Sequence, residues 1–110
     1  MHELALADGI VQAVSERLPG ARIVRVLLRI GALTCVEPEA MRFCFEAAAR
    51  GTALEGAALE IEEVPARARC RTCGAGDVGV DPRLPLCACG SADLDLLDGR
   101  QLLVSAVEVA

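Results

Sequence analysis

Residues 70–90 read CRTCGAGDVGVDPRLPLCACG, and this segment interrupts an otherwise regular pattern of apolar and polar residues. It opens with the pair Cys70-x-x-Cys73 and ends with the pair Cys87-x-Cys89, and a glycine follows each pair. Tetrahedral Zn²⁺ takes four thiolates, and short cysteine knuckles supply them two at a time. Because the segment has few apolar residues with which to form a core, the four cysteines predict a structural zinc site that holds it folded.

Other uses of the cysteines stay open at this point. Four clustered cysteines also suit iron, either alone or in an iron–sulfur cluster. A redox dithiol fits less well, since there are two pairs and neither lies at a predicted helix start. The remaining two cysteines, Cys35 and Cys44, have no close cysteine partner, so we expect neither to bind the metal. Cys44 is expected to pack as a small hydrophobe.

The sequence on either side of the cysteine segment predicts helices and strands in alternation. Apolar residues recur at helical spacing in two stretches, and they alternate with polar residues in others. The expected helices are 4–18 and a second one that starts at Pro38 and is stopped by Gly51. The expected strands are 22–30 and about 57–64, and 94–109 is predicted as a β-hairpin. Asp98-Gly99 provides the turn signal for that hairpin.

These elements predict an α/β (α+β) fold with a small sheet of about three strands and two helices. The cysteine segment is expected to be an inserted zinc-ribbon module. We therefore expect residues 1–66 and 92–110 to form an α/β domain and residues 67–91 a zinc-ribbon domain. A chain of 110 residues suits one domain with such a small satellite.

Composition argues against several classes of function. The net charge is −5, no lysine is present and aromatic residues make up 2%. Nucleic-acid binding needs a basic surface and gains from stacking aromatics, so we expect no nucleic-acid partner. We find no signal peptide and no apolar run of transmembrane length, which predicts a cytoplasmic protein without membrane contact. In that reducing compartment, paired cysteines indicate metal ligands rather than disulfides.

The only histidine is His2, one residue from the N-terminus. A bulky second residue normally prevents removal of the first methionine, so we expect Met1 and its α-amine to be retained. An amine, adjacent amide nitrogens and an imidazole form an in-plane nitrogen donor set that suits Ni²⁺ or Cu²⁺ in square-planar geometry. His2 is thus a candidate ligand of a second metal, although a terminal histidine is often only solvated.

Several motifs resemble those of the HypA/HybF hydrogenase maturation factors, and the resemblance covers essentially the whole chain. The motifs are Met1-His2-Glu3-Leu4, Val36 to Phe43 (VEPEAMRF), Gly51-Thr52, the cysteine pairs with Cys89-Gly90-Ser91, and Val107-Glu108-Val109. The resemblance implies an α/β nickel-binding domain and a zinc-ribbon domain. It implies nickel bound by the N-terminal amine, His2 and the adjacent backbone, with Glu3 close by and influencing selectivity.

The same resemblance implies zinc bound by four cysteines, Cys70, Cys73, Cys87 and Cys89. It also implies a nickel metallochaperone that delivers Ni²⁺ to the large subunit of [NiFe]-hydrogenase, together with a HypB-type GTPase, and in some relatives to urease. The family's second pair is usually C-x-x-C-G, which would place a cysteine at Leu86. Here Cys87 must serve instead, in a knuckle one residue shorter.

No catalytic constellation is visible: the one histidine has no nucleophile beside it, and no glycine-rich loop carries a lysine. We therefore expect a metal carrier rather than an enzyme. The alternatives are a zinc-ribbon interaction or regulatory module that binds no nickel, and an iron-containing electron-transfer protein. The sequence leaves open whether the protein is a monomer or a homodimer.

Overall fold

The computed structural model describes residues 2–110, so Met1 and its amine lie outside the described residues. Within these residues there are two α-helices, α1 (Glu3–Arg17) and α2 (Pro38–Ala49), and one short 3-10 helix (Ala32–Thr34). The six strands are β1 (Ile23–Gly31), β2 (Ala58–Val64), β3 (Arg67–Cys70), β4 (Val78–Gly79), β5 (Leu94–Asp98) and β6 (Leu102–Val109). None of the helices in this part of the chain is long and apolar enough to cross a membrane.

The strands form two three-stranded sheets, with the orders β2-β1-β6 and β4-β3-β5. The chain also divides into two compact units. The described part of the first unit consists of the ranges 2–29, 36–62 and 103–110, and the second unit consists of 30–35 and 63–102. The second unit extends beyond the predicted zinc-ribbon range 67–91, in part because its sheet includes β5, which follows the cysteines.

The first unit contains both helices, which pack against each other. Each helix turns a narrow apolar stripe inward at helical spacing. The buried side chains are Ala7, Val11 and Val14 of α1 and Met41, Phe45 and Ala49 of α2. From β1, Val26 and Leu28 are buried as the alternation predicts, whereas Val24 is 40% exposed. The predicted mixed α+β fold with two helices and a three-stranded sheet is confirmed.

Helix α2 begins where the sequence signals predicted. Pro38 occupies the first helical position, where its missing N–H costs no hydrogen bond. The Glu37 side chain accepts a hydrogen bond from the Glu39 backbone N–H at 3.2 Å and so caps the helix.

The second unit has a small core of its own, formed by Ala66, Ala68 and Val80. β3 pairs antiparallel with both β4 and β5. The predicted hairpin over 94–109 is therefore wrong, since β5 belongs to this second sheet and β6 to the first. Gly99, which suggested the hairpin turn, instead lies against Ala66: a Cβ on Gly99 would lie 2.6 Å from the Ala66 Cα.

Candidate metal centre

The four cysteines of the two knuckles come together in the second unit. Their sulfur atoms all lie within 4.8 Å of one another. The Cys70–Cys89 and the Cys73–Cys87 Sγ···Sγ distances are both 3.7 Å. Sulfurs arranged tetrahedrally at about 2.3 Å from a Zn²⁺ ion are about 3.8 Å apart. The donor set and its spacing therefore fit a four-thiolate zinc site.

The first knuckle is closed by hydrogen bonds between its two ends. The Gly74 N–H donates to the Cys70 carbonyl at 3.0 Å, and the Cys70 N–H donates to the Ala75 carbonyl at 3.0 Å. Gly74 has a φ of +79°, a conformation that costs glycine little. The Cys73 N–H points at the Cys70 sulfur, 3.4 Å away. The backbone thus both brings the two sulfurs together and favours a thiolate at Cys70.

The second knuckle repeats this pattern with one residue fewer. The Gly90 N–H donates to the Cys87 carbonyl at 2.8 Å, and the Cys87 N–H donates to the Ser91 carbonyl at 2.9 Å. Gly90 likewise has a positive φ, +90°. In each knuckle the glycine after the second cysteine bonds back to the first cysteine. The shortened Cys87-x-Cys89 spacing therefore keeps the hydrogen bonds that close a knuckle.

Side chains next to the cysteines brace one knuckle against the other. The hydroxyls of Thr72 and Ser91 are hydrogen-bonded at 2.7 Å. The Arg71 N–H donates to the Asp93 carbonyl at 3.0 Å, and the Arg71 guanidinium pairs with the Asp93 carboxylate at 3.1 Å. Sequence reasoning missed these residues, and the only signal was their position inside or just after the knuckles. The brace fixes the relative position of the two cysteine pairs.

The four cysteines differ in exposure and in pKa. Cys70 and Cys87 are buried, whereas Cys73 and Cys89 are exposed. Hydrogen bonds from the Cys73 and Thr72 backbone N–H groups, opposed in part by burial, lower the pKa of Cys70 to about 6. For Cys89, the Ser91 N–H lowers the pKa, but the neighbouring cysteine sulfurs and burial outweigh it and raise the pKa to about 11. In the absence of a cation, the crowded sulfurs therefore share protons rather than all becoming thiolates.

The structure also locates the two cysteines outside the knuckles. Cys35 is exposed and Cys44 is half-buried. Within residues 2–110, the four knuckle cysteines form the only cluster of three or more His, Cys, Asp or Glu side chains that could bind a metal ion. Neither Cys35 nor Cys44 belongs to it, in line with their lack of a close cysteine partner.

His2 lies at the start of α1, in the first unit, and its side chain is exposed. Its carbonyl accepts the Leu6 N–H at 3.2 Å, while its imidazole makes no capping hydrogen bond to the helix. The next residue is held in place, because the Glu3 carboxylate accepts the Glu37 N–H at 3.3 Å. The Glu3 and Glu37 N–H groups lower the pKa of that carboxyl group. An exposed imidazole thus precedes a helix start that is anchored to α2.

Comparison with known proteins places the chain among metallochaperones. Residues 1–109 match the family described as "Hydrogenase/urease nickel incorporation, metallochaperone, hypA". The chain belongs to the HypA family. The HypA of Nostoc punctiforme, a hydrogenase maturation factor, is 46% identical over 109 residues, which cover 99% of this chain and 96% of the relative. The HypA of Geotalea daltonii is 43% identical, with 99% of each chain covered.

A solved HypA structure has the same fold. The solution structure of the Ni metallochaperone HypA from Helicobacter pylori superimposes with a TM-score of 0.65, covering 99% of this chain and 97% of that chain. Sequence identity between the two is 18%, so this likeness concerns the fold. Membership of the HypA family identifies the protein as a nickel-incorporation metallochaperone, as the resemblance implied.

Proposed function

We propose that this protein carries Ni²⁺ at its N-terminus to the large subunit of a [NiFe]-hydrogenase and uses zinc only to hold its second unit folded. Family membership supports nickel incorporation as the activity. The observation that supports separate roles for nickel and zinc is the contrast between the two sites. Four mutually close sulfurs would leave a zinc ion no open coordination position. The exposed His2 imidazole, in contrast, is accessible to a protein that takes the metal.

The proposed nickel ligands are the Met1 amine, the adjacent amide nitrogens and the His2 imidazole. Nitrogen donors in one plane suit Ni²⁺, and a site at a chain terminus allows the metal to leave without unfolding the protein. Glu3 is proposed to act indirectly, because its bond to the Glu37 N–H orients the start of α1. The proposed zinc ligands are Cys70, Cys73, Cys87 and Cys89.

The proposed partners are a HypB-type GTPase and the hydrogenase large subunit, and we propose no catalytic activity for the chain itself. Reduced thiolates persist in a reducing compartment, which supports a cytoplasmic location. These assignments are inferred from the family and from the chemistry of the candidate ligands.

Metal analysis of untagged protein tests the proposal. We expect about one Ni²⁺ and about one Zn²⁺ per chain. His2→Ala, and separately one extra residue before Met1, should abolish nickel binding and leave zinc unchanged. Cys35→Ser is the control, because it removes an exposed thiol outside both sites and should change neither metal. Nickel retained after both N-terminal changes would place the site elsewhere, and zinc binding alone in the wild type would favour a zinc-ribbon interaction module.

A further inference from the structure

The two edges of the first sheet, β2 and β6, differ in how well they are protected against pairing with another chain. An unprotected edge strand presents unpaired N–H and C=O groups, and charged residues normally keep extended chains away from it. β2 carries three glutamates, at positions 60, 62 and 63. In addition, the Arg42 guanidinium donates a hydrogen bond to the Leu59 carbonyl at 2.9 Å. The β2 edge is therefore both charged and partly capped.

The β6 edge has little of this protection. In the described part of the chain β6 lies at the end of its sheet and pairs with β1 alone. Its sequence is LLVSAVEV, and its one charged residue, Glu108, already pairs with Arg25 at 3.0 Å. Within residues 2–110, the side-chain hydrogen bonds include none that caps a β6 carbonyl. An apolar strand of eight residues thus offers main-chain donors and acceptors to an extended chain.

A groove beside this edge provides room for the side chains of such a chain. It has a volume of about 490 Å³ and lies between the second half of α1 and the middle of β6. Val14 and Leu18 line it on the helix side, and residues 104–107 line it on the strand side. Successive side chains of a strand point to opposite faces of a sheet, so every second side chain of a strand paired with β6 would face the groove. The lining favours apolar side chains at those positions.

The groove has one charged side chain in its lining, and that charge is positive. Arg17 lies in the last turn of α1 and is exposed. No carboxylate of residues 2–110 pairs with it. The whole chain has a net charge of −5, so Arg17 makes the groove a positive point on an acidic protein. A ligand with a carboxylate at this point would gain an ion pair, whereas a basic ligand would be repelled.

We propose that β6 and its groove bind an extended segment of a partner protein that has alternating apolar side chains and a carboxylate facing Arg17. The segment adds a strand to the first sheet by β-augmentation. Main-chain hydrogen bonds to β6 hold it, its apolar side chains enter the groove, and the ion pair with Arg17 sets its register. This recognition uses none of the proposed metal ligands, so its failure would leave the proposed function intact.

Designed peptides binding to the full zinc-loaded chain test this proposal. Each peptide has eight residues, with valine and threonine in alternation, one glutamate, capped ends and a neutral fluorophore, and the glutamate occupies each position in turn. Fluorescence anisotropy should identify a preferred position for the glutamate. Replacing that glutamate by glutamine should weaken binding about twofold to fivefold, as expected for loss of an exposed ion pair. The Arg17→Glu variant should prefer the matching lysine peptide to the glutamate peptide.

Two further comparisons test strand addition and the groove separately. Alternate N–H groups of an added strand face β6, so N-methylation of one alternate set should abolish binding and N-methylation of the other set should not. Ala13→Trp, which fills the groove from the helix side, should weaken binding at least about tenfold. Gln12→Trp is the control, because Gln12 is exposed on the same helix but does not line the groove.

Several results would overturn the proposal. They are the absence of binding by any peptide up to about 1 mM, equal effects of the two sets of methyl groups, equal effects of the two tryptophans, and a continued preference for glutamate over lysine in Arg17→Glu. Peptide affinity that falls as the protein concentration rises would also overturn it, because a second copy of the chain would then occupy the edge.

Discussion

Replacing Gly31 by alanine should strongly destabilise the second unit. A Cβ at this position would overlap the backbone carbonyl of Gly99 and lie 2.7 Å from the Arg100 nitrogen. These atoms are main chain, so no side chain can rotate away to make room. The segment is also hydrogen-bonded there, with the Gly31 N–H donating to the Gln101 carbonyl at 2.6 Å and the Leu33 N–H to the Gly99 carbonyl at 2.8 Å. The added methyl group must therefore separate two segments that are tightly joined.

The expected cost follows from these contacts. Overpacking costs about 1–3 kcal/mol, and loss of the two hydrogen bonds adds about 1 kcal/mol each. Gly31→Ala should therefore lower the free energy of unfolding by about 3–5 kcal/mol, a large part of the roughly 5–15 kcal/mol that stabilises a typical domain. In urea, the unfolding midpoint of the zinc-loaded protein should fall by at least about 1 M, as followed by circular dichroism.

Gly9→Ala is the matched control for this experiment. Gly9 lies within α1, and a Cβ there would meet nothing within 4 Å. The same chemical change should therefore stabilise the protein by about 0.5–1 kcal/mol, because alanine is a better helix former than glycine. The result that would refute this reasoning is a free energy of unfolding for Gly31→Ala within about 1 kcal/mol of the wild-type value. The close approach of the segments around residues 31 and 99 would then not determine stability.

Two further predictions concern zinc. Cys89, with a pKa of about 11, must lose a proton when the metal binds, so apparent zinc affinity should rise with pH through the neutral range. Below about pH 6, where Cys70 also becomes protonated, the zinc affinity should fall more steeply. Competition with a chelator at several pH values measures both effects. A zinc affinity that does not change with pH would contradict them. Removal of zinc by a chelator should also expose the amides of Gly74 and Gly90 to hydrogen exchange while the α1 amides stay protected. Equal loss of protection in both regions would show that zinc supports the whole chain.

The elements of the first unit could be predicted from local sequence signals. The stripe Ala7, Val11 and Val14 indicates α1, and Pro38 marks the start of α2. The second sheet could not be predicted in this way, because β3 and β4 are only four and two residues long. Their pairing depends on contacts between residues distant in sequence, such as Ala68 with Leu96. Asp98-Gly99 shows why a turn signal can mislead. A glycine is required where the backbone packs closely against another segment, as well as in a hairpin turn, and the sequence alone does not distinguish the two cases.

The candidate zinc ligands could be identified from sequence because cysteine spacing directly reflects how a knuckle folds. Spacing alone did not show whether the shortened second pair, Cys87-x-Cys89, could form a knuckle. The structure indicates that the feature common to the two knuckles is their closure rather than the number of residues between the cysteines. Gly74 bonds back to Cys70, and Gly90 bonds back to Cys87. A knuckle can therefore lose one residue, provided that a glycine with positive φ follows the second cysteine and returns its N–H to the first.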